Sequence, residues 1–317
     1  MANRSSDARM HIMENSGIIE LFEEMGVPIA SRKHEHYRYG WIQVCCPFCG
    51  DGNFHLGYNV SKGYFNCYRC GSHGLIETLA MVCDVRYNEA RQLSQKYKLK
   101  STNNTYQSSD AITKNPFKIP SSGNILKARA PYCYLRERFR ALTETAFKDM
   151  VRAKGITYTG LDYNVREWAA RIIFPAYYEG RAVSFQGRSF APLSRAKYRT
   201  AEPENELVHH KTFLWGIDDV PYNTTIVCEG IMDALSIGDG AVHTHGIEWT
   251  KEQARMLTLF DKVYICYDNE YIAYKKAAKL KAEIGHRTNA HIIKLSAHDV
   301  NSCSQDELAE LKGLLDA

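Results

Sequence analysis

The spacing of apolar residues changes several times along this chain of 317 residues, and each change predicts a different element. Near the amino terminus, apolar positions recur at helical spacing until Gly26-Val27-Pro28 ends the pattern. Residues 53–66 instead alternate Tyr, Val and Phe with polar residues, as a short β-hairpin does. Helical spacing returns in residues 75–82 and 87–97. The first third is therefore predicted to hold a helix, a hairpin and two more helices.

Residues 101–124 interrupt this patterning. Half of these 24 positions are Ser, Thr or Asn, and the segment also contains Pro116 and Pro120. Such a composition offers too little apolar surface to form a core. We therefore predict a flexible linker that joins two separately folded bodies.

Regular patterning resumes beyond the linker. Residues 132–150 have the spacing of one helix, and β-type alternation runs over residues 171–188. The last third then repeats a unit of an apolar strand followed by a helix. The expected strands of these units are residues 225–228, 262–267 and 291–295. Because strands that alternate with helices form parallel sheets, the predicted fold class is α/β (mixed α+β), with a small β domain tethered to a larger body.

Two CxxC motifs, separated by seventeen residues, carry the strongest chemical signal. They are Cys46-Pro47-Phe48-Cys49 and Cys67-Tyr68-Arg69-Cys70. Each can deliver two thiolates from a tight turn, and the spacing is typical of a tetrahedral zinc ribbon. A pair of disulfides or four buried thiols are the alternatives. Cys45 is expected to be a spare, and His73 lies close enough to compete as a ligand, although four cysteines suffice.

Acidic residues follow the predicted strands of the last third. Glu229, Asp268 and Asp299 each stand just after a strand, Asp233 lies one helical turn beyond Glu229, and Glu270 comes two residues after Asp268. In parallel sheets, sites form at the carboxyl ends of the strands, so these side chains are expected to converge.

A cluster of carboxylates in such a place repels itself unless cations are present. Hard oxygen ligands with few histidines favour Mg²⁺ or Mn²⁺ over zinc, and such ions serve phosphoryl chemistry. The alternative for any single acid is a helix cap. Three acids in corresponding positions make that alternative weaker.

A basic stretch precedes the acidic one. Between residues 181 and 199 there are five basic residues and no acidic ones, interleaved with Phe185, Phe190 and Tyr198. Basic side chains neutralise backbone phosphates and aromatic rings stack on unpaired bases, so the pattern is typical of a groove for nucleic acid. A solvated basic face explains it about equally well. The basic residues are Arg181, Arg188, Arg195, Lys197 and Arg199.

The remaining features of the sequence bear on the partners and the cellular location of the protein. A net charge of +4 permits a nucleic-acid partner without requiring one, and the other cysteines are scattered singly, as in cytoplasmic proteins. The sequence has no signal segment, no apolar run of bilayer length and no P-loop motif. His243 and His245 fit either a ligand pair or a loop, and the loop is favoured.

These motifs together carry a resemblance to DnaG-type primases. Glu229-Gly230, Asp268-Asn269-Glu270 and Asp299-Val300-Asn301 resemble the acidic motifs of a Toprim domain. The basic half is similar to the amino-terminal half of the primase polymerase core. The segments that carry this second similarity are Arg171-Ile-Ile-Phe-Pro, Gly180-Arg181, Phe185-Gln-Gly-Arg188, Lys197-Tyr198, Lys211 and Leu214-Trp215-Gly216. Four cysteine ligands, in place of three and a histidine, and the D-x-N element resemble the phage enzymes.

The resemblance implies an enzyme, a DNA primase that makes short RNA primers on single-stranded DNA from nucleoside triphosphates. It implies structural Zn²⁺ on the cysteines and catalytic Mg²⁺ or Mn²⁺ on the acids, with a separate replicative helicase as partner and no membrane. The implied catalytic residues are Glu229, Asp233, Asp268, Glu270 and Asp299, with Glu270 in place of the family's usual aspartate. The implied template- and substrate-binding residues are Arg171, Arg181, Arg188, Lys197, Tyr198, Arg199 and Lys211.

The same resemblance divides the chain into domains. They are an amino-terminal helical segment (1–37), a zinc-binding ribbon (38–100), the linker (101–124), a basic half of the RNA polymerase core (125–222) and a Toprim subdomain (223–317). Two other functions remain open. A non-catalytic recombination mediator also joins a four-cysteine module to a Toprim domain, and a Toprim nuclease would cleave nucleic acid without incorporating nucleotides.

Overall fold

The chain divides into two compact units. The computed structural model describes residues 17–99, 117–192, 194 and 196–316. Unit 1 covers residues 1–112 and unit 2 covers residues 113–317. The division falls inside the segment predicted as a linker, of which residues 101–116 lie outside the described residues. The finer domain boundaries stay predictions.

Unit 1 is built on an antiparallel sheet in the order β1-β2-β3-β4. Its described elements are α1 (Gly17–Glu24), β1 (Trp41–Val44), β2 (Leu56–Asn59), β3 (Tyr64–Cys67), β4 (Gly71–His73), α2 (Leu75–Val82) and α3 (Tyr87–Lys96). The helical spacing of α1 buries Ile18, Leu21 and Phe22, and the Phe22 ring lies 6.5 Å from that of Phe65 on β3. The predicted hairpin is formed by β2 and β3.

Unit 2 contains two four-stranded sheets. The first is antiparallel in the order β5-β6-β7-β8, and the second is parallel in the order β10-β9-β11-β12. The strands are β5 (Thr157–Thr159), β6 (Arg171–Tyr178), β7 (Arg181–Ser189), β8 (Tyr198–Thr200), β9 (Thr224–Cys228), β10 (Ala241–His243), β11 (Lys262–Cys266) and β12 (Asn289–Ile292). The predicted class of mixed α/β is confirmed.

Helices flank these sheets in the described part of unit 2. They are α4 (Arg129–Arg138), α5 (Glu144–Ala153), α6 (Ile231–Ile237), α7 (Lys251–Leu257), α8 (Tyr271–Ile284) and α9 (Gln305–Gly313). Single 3₁₀ turns lie at Ile125–Lys127, Arg166–Trp168, Pro203–Asn205, His210–Thr212, Ile217–Asp219 and Val300–Ser302. Within the described ranges no helix is both long and apolar enough to cross a membrane.

The single helix predicted over residues 132–150 is wrong, because the structure breaks it into α4 and α5. Thr143 caps the start of α5 by accepting a hydrogen bond from the Ala146 N–H. The Arg136 guanidinium closes the break by donating to the carbonyls of Phe139 and Leu142. A side chain that satisfies exposed carbonyls beyond its own helix is a tertiary effect that apolar spacing does not record.

The last strand is also displaced from its prediction. It was expected at residues 291–295, but β12 runs from Asn289 to Ile292. Pairing starts at Asn289 because its partner strand β11 starts at Lys262, directly opposite. An edge strand of this kind has its limits set by its one neighbour rather than by its own apolar residues.

A glycine allows the antiparallel sheet to hold its core. Trp168, Ile173 and Phe185 form a buried cluster, and the Trp168 indole lies against Gly187 of β7. A Cβ atom on Gly187 would lie 2.8 Å from Trp168 Cζ3 and 3.0 Å from Arg171 Cδ. The absence of a side chain at this position is therefore a packing requirement.

Gly187→Ala is expected to lower the free energy of unfolding of unit 2 by about 1–3 kcal/mol, because the added methyl group overpacks this site. Chemical denaturation followed by tryptophan fluorescence measures it. Gly313→Ala is the matched control, since nothing lies within 4 Å of the added atom there. Equal stability of the two variants would contradict this account of the sheet.

Candidate functional site

The four predicted zinc ligands lie together in unit 1. Cys46 and Cys49 come from the turn after β1, Cys67 ends β3, and Cys70 lies in the turn before β4. The Sγ atoms of Cys46 and Cys70 are 3.6 Å apart, and those of Cys49 and Cys67 are 3.9 Å apart. Four sulfurs at about 2.3 Å from one zinc ion in a tetrahedron are about 3.8 Å apart, so the spacing fits zinc.

The disulfide alternative for this cluster does not hold. All ten cysteines are free, and the Sγ separations are far beyond the length of a disulfide bond. His73 remains a neighbour of the site, with its Nε2 3.1 Å from Cys70 Sγ and its ring stacked on Phe48. The Arg69 N–H also points to Cys67 Sγ at 3.4 Å, which is how a knuckle stabilises a thiolate.

Glu229 and Asp268 meet at the carboxyl edge of the parallel sheet in unit 2. They follow β9 and β11, which are adjacent and in register, with Cys228 opposite Cys266. The Asp268 N–H donates to Glu229 Oε1 at 3.0 Å. Burial, followed by the nearby Asp268 charge, raises the pKa of Glu229 to about 7. The two acids are therefore held close together against their mutual repulsion.

Asp233 joins this pair from the first turn of α6. Its Oδ1 accepts a hydrogen bond of 3.3 Å from the Asn301 N–H. Burial, followed by the charges of Asp268 and Asp299, raises the pKa of Asp233 to about 7. Burial and Asp299 also raise the pKa of Asp268. Carboxylates whose pKa is raised by burial and by neighbouring charges are candidates for a functional site.

Glu270 and Asp299 lie around His298. Its Nε2 is 2.9 Å from Glu270 Oε1, its Nδ1 is 3.8 Å from Asp299 Oδ2, and the hydrogen bond to Glu270 raises the pKa of His298. Asp299 also caps the 3₁₀ turn Val300–Ser302. The alternative role considered for each acid, that of a helix cap, is therefore found at Asp299. Asp268 does not cap α8, whose first flanking residue is Glu270. Sequence reasoning missed His298, although its position next to Asp299 was a signal.

The acids surround an open edge rather than a closed cage. Within the described ranges, two groups bring three or more ligand atoms within 4.8 Å of one another: the four cysteines, and Glu206 with His209 and His210. The five acids are spaced more widely than this. Mg²⁺ is commonly held by one or two carboxylates, with waters and substrate phosphates completing its shell, and an open edge suits that arrangement.

Arg188 connects the basic half to the acids. Its buried guanidinium donates from Nε to Tyr134 Oη at 2.8 Å and from Nη1 to Tyr198 Oη, and it lies 4.7 Å above the Tyr198 ring. Burial raises the pKa of Tyr198 to about 12, and the charge of Asp233 adds to this shift. Tyr198 therefore lies within electrostatic reach of the acidic cluster.

The other basic residues differ in their surroundings. Arg171 is buried and donates to the backbone carbonyls of Glu167, Gly187 and Ala196. Lys211 Nζ donates to the carbonyls of Thr244, His245 and Glu248. Both therefore hold segments of backbone in place. The remaining members are Arg181, which is partly buried, Arg199, which pairs with Glu167 and Glu202, Lys197, which is exposed, and Arg195, which lies outside the described residues.

Comparison with known proteins first identifies a class. Residues 226–304 match the family model described as Toprim-like. A longer alignment matches a DNA primase of Campylobacter jejuni. The two are 26% identical across 298 aligned residues, which cover 80% of this chain and 48% of the relative. The chain thus spans about half the length of that curated relative.

Solved structures then identify the fold. The zinc-binding and RNA polymerase domains of the Aquifex aeolicus primase match at a TM-score of 0.52 and 17% identity, covering 96% of this chain and 84% of that one. The primase fragment of the bacteriophage T7 primase-helicase has a TM-score of 0.40 at 14% identity, which is too remote to carry an argument. The resemblance to DnaG-type primases is confirmed, whereas its phage type stays a prediction.

The expected cofactors are consistent with these findings. The four-cysteine cluster is a zinc site, and the Toprim-like segment within this fold suits catalytic Mg²⁺ or Mn²⁺. Which acids ligate the catalytic ions stays a prediction.

Cys67→Ser is expected to remove one equivalent of zinc per chain, because three thiolates hold the ion far less tightly than four. Metal analysis of the purified protein by inductively coupled plasma mass spectrometry measures the loss. Cys45→Ser is the control, since Cys45 is outside the quartet and should retain all the zinc. Loss of zinc from the Cys45 variant, or none from the Cys67 variant, would contradict the assignment.

Asp233→Asn is expected to stabilise unit 2 most at high pH when no Mg²⁺ is added. The pKa of this carboxyl group rises from 3.8 to about 7 on folding. The free energy of unfolding therefore falls as the pH rises through that interval, because the folded chain holds the proton more tightly. The gain from Asn should thus be about 2–3 kcal/mol larger at pH 8 than at pH 5. Urea denaturation at both values measures it, with the exposed Asp306→Asn as control. A gain independent of pH would refute the raised pKa.

Proposed function

We propose that this protein is a DNA primase, a DNA-dependent RNA polymerase that makes short RNA primers on single-stranded DNA by metal-assisted nucleotidyl transfer. The observation that carries the proposal is the convergence of Glu229, Asp233 and Asp268 at one edge of a Toprim-like sheet. Tyr198, which is bonded to Arg188 in the antiparallel sheet, lies within electrostatic reach of Asp233. The similarity to a bacterial DNA primase supports the same reaction.

In this proposal the acids bind the nucleoside triphosphate through divalent cations. Glu229 and Asp268 hold the ions, Asp233 orders them from within α6, and Glu270 or Asp299 completes the set. Ions held by these acids would supply activation of the 3′-hydroxyl of the growing primer and stabilisation of the pyrophosphate that leaves. Because burial raises the pKa of Glu229 and of Asp233 to about 7, a cation bound beside them would favour the ionised form of both.

The basic residues hold template and triphosphate, in roles that differ with exposure. Lys197 is exposed and Tyr198 is 37% exposed, so both can reach a nucleic-acid strand directly. Arg188 acts through Tyr198 and Tyr134, and Arg181 and Arg199 extend the basic surface. Arg171 and Lys211 are proposed to position the backbone beneath this surface, since their donors already bind carbonyls.

The zinc unit is proposed to bind the template. A cavity of about 370 Å³ in unit 1 is lined by the rings of Trp41, Phe54 and Tyr68, with His36 and His55 beside them. Tyr68 is 78% exposed and lies within the second zinc knuckle. Aromatic walls of this kind stack on unpaired bases at about 1–3 kcal/mol per base.

We further propose that the protein acts in the cytoplasm, with a separate replicative helicase as its partner.

Asp268→Ala is expected to reduce primer synthesis by more than about 100-fold, since groups that only orient metal ligands already contribute about 10–100-fold. Binding of single-stranded DNA should be retained, because Asp268 belongs to the acidic edge. Incorporation of labelled ribonucleotides on a single-stranded template measures synthesis, and fluorescence anisotropy measures DNA binding.

The control for this experiment is Glu283→Ala, which removes an exposed carboxylate on α8. It should synthesise RNA at the rate of the unaltered protein. Normal synthesis by the Asp268 variant would overturn the assignment of that acid. Cleavage of the template without incorporation, in the unaltered protein, would identify a Toprim nuclease, and neither activity would favour a recombination mediator.

A further inference from the structure

A second cluster of metal-ligating side chains lies in unit 2, apart from the acidic residues proposed for catalysis. Glu206, His209 and His210 each place one ligand atom within 4.8 Å of the other two. They belong to the segment between β8 and β9, around the 3₁₀ turn His210–Thr212. The spacing of ligand atoms is that of a site able to hold one ion.

The carboxylate of this cluster is buried and fixed. Glu206 has a side chain only 1% exposed, and its Oε1 accepts hydrogen bonds from the Ser184 hydroxyl of β7 and from the His210 N–H at 3.3 Å. The same oxygen lies 2.8 Å from His210 Nδ1. The carboxylate oxygen and His210 Nδ1 are thus close enough to bind one ion in place of the proton that they share.

His209 completes the cluster from the solvent side. Its ring is stacked on that of His210, with centroids 4.6 Å apart. Its Nδ1 accepts one long hydrogen bond, of 3.3 Å, from the Lys211 N–H. The residue is exposed, so the ring can turn toward an ion without disturbing the core.

Two neighbouring histidines supply an independent observation. The ring of His245 lies 5.2 Å from that of His210 and 4.5 Å from that of His243. Both ring nitrogens of His245, and Nε2 of the fully buried His243, are buried without a hydrogen-bond partner. A buried polar atom without a partner costs about 1–3 kcal/mol, so three at one place call for an explanation. An ion bound by His210 would lie next to the His245 ring.

The charges around the cluster suit a borderline metal ion. Burial lowers the pKa of His243 and of His245, as expected for rings packed away from water. The Lys211 ammonium opposes a cation here and contributes to both shifts. The Glu206 carboxylate acts in the opposite direction on His209, whose pKa burial lowers. Imidazoles with one carboxylate favour Zn²⁺ over Mg²⁺.

We propose that Glu206, His209 and His210, with His245 behind them, form a second zinc site in this protein. An ion there would fasten the turn that carries Lys211, whose ammonium holds the carbonyls of residues 244–248. Gly246 in that loop donates its N–H to the Glu229 carbonyl at 2.8 Å. The site would thus be structural and would support the backbone next to the acidic edge.

Zinc content tests this proposal without recourse to activity. The full chain, saturated with Zn²⁺ and freed of excess ion by gel filtration, should hold two equivalents. His209→Ala and His210→Ala should each hold one, and Cys67→Ser should also hold one. His286→Ala, which removes an exposed histidine in the turn after α8, should keep two. One equivalent in the unaltered chain would overturn the proposal and leave the histidines as packed neutral rings.

Cobalt substitution identifies which site is lost. Co²⁺ in the cysteine quartet gives intense thiolate charge-transfer absorption, whereas Co²⁺ bound by imidazole and carboxylate gives only weaker visible bands. His209→Ala should keep the first and lose the second, and thermal unfolding should show that this exposed substitution leaves the fold intact. Identical cobalt spectra for the unaltered chain and the His209 variant would refute the second site.

Discussion

The repulsion among carboxylates at one edge of the parallel sheet is the constraint on which unit 2 depends. Burial and neighbouring carboxylates raise the pKa of Glu229, Asp233 and Asp268, with Asp268 acting on the first two and Asp299 acting on Asp268. The fold offsets that cost with backbone donors, since the N–H groups of Asp268 and Asn301 each bind one of the acids. Strand register fixes the first pair, and a helical turn fixes Asp233. Rigid elements therefore hold these acids together although their charges repel one another, and such a site is a candidate for binding a cation.

Much of this arrangement could be predicted because its signals are local. An acid that directly follows an apolar strand must lie at the carboxyl edge of a parallel sheet, so Glu229 and Asp268 could be placed together without coordinates. The cysteine quartet was equally accessible, since two CxxC turns constrain their own sulfurs. The break between α4 and α5 was not, because Arg136 closes it by reaching across to the carbonyls beyond its helix.

Other features depend on long-range contacts that residue type alone does not reveal. Arg171 and Lys211 are residue types that often bind phosphate. In the structure, however, the charged groups of both donate hydrogen bonds to backbone carbonyls. Glu206 and His210 stand four residues apart and were detectable as a pair, but their neighbour His245 comes from a different segment. A single sequence shows which donors are present, and only the fold shows what each one meets.

The cysteine quartet and the acidic cluster differ in their ligand chemistry, and the difference fits the separate roles predicted for them. The four cysteines satisfy the coordination of zinc completely, so an ion held there has no position left for a substrate and can only stabilise the ribbon. The five acids are more widely spaced and at least partly exposed, and Tyr198 lies within electrostatic reach of Asp233. An ion on that edge must complete its shell with oxygen from elsewhere, and triphosphate oxygens are the ligands that Mg²⁺ accepts most readily. Ligand chemistry thus supports the prediction of a structural metal on the cysteines and a catalytic one on the acids.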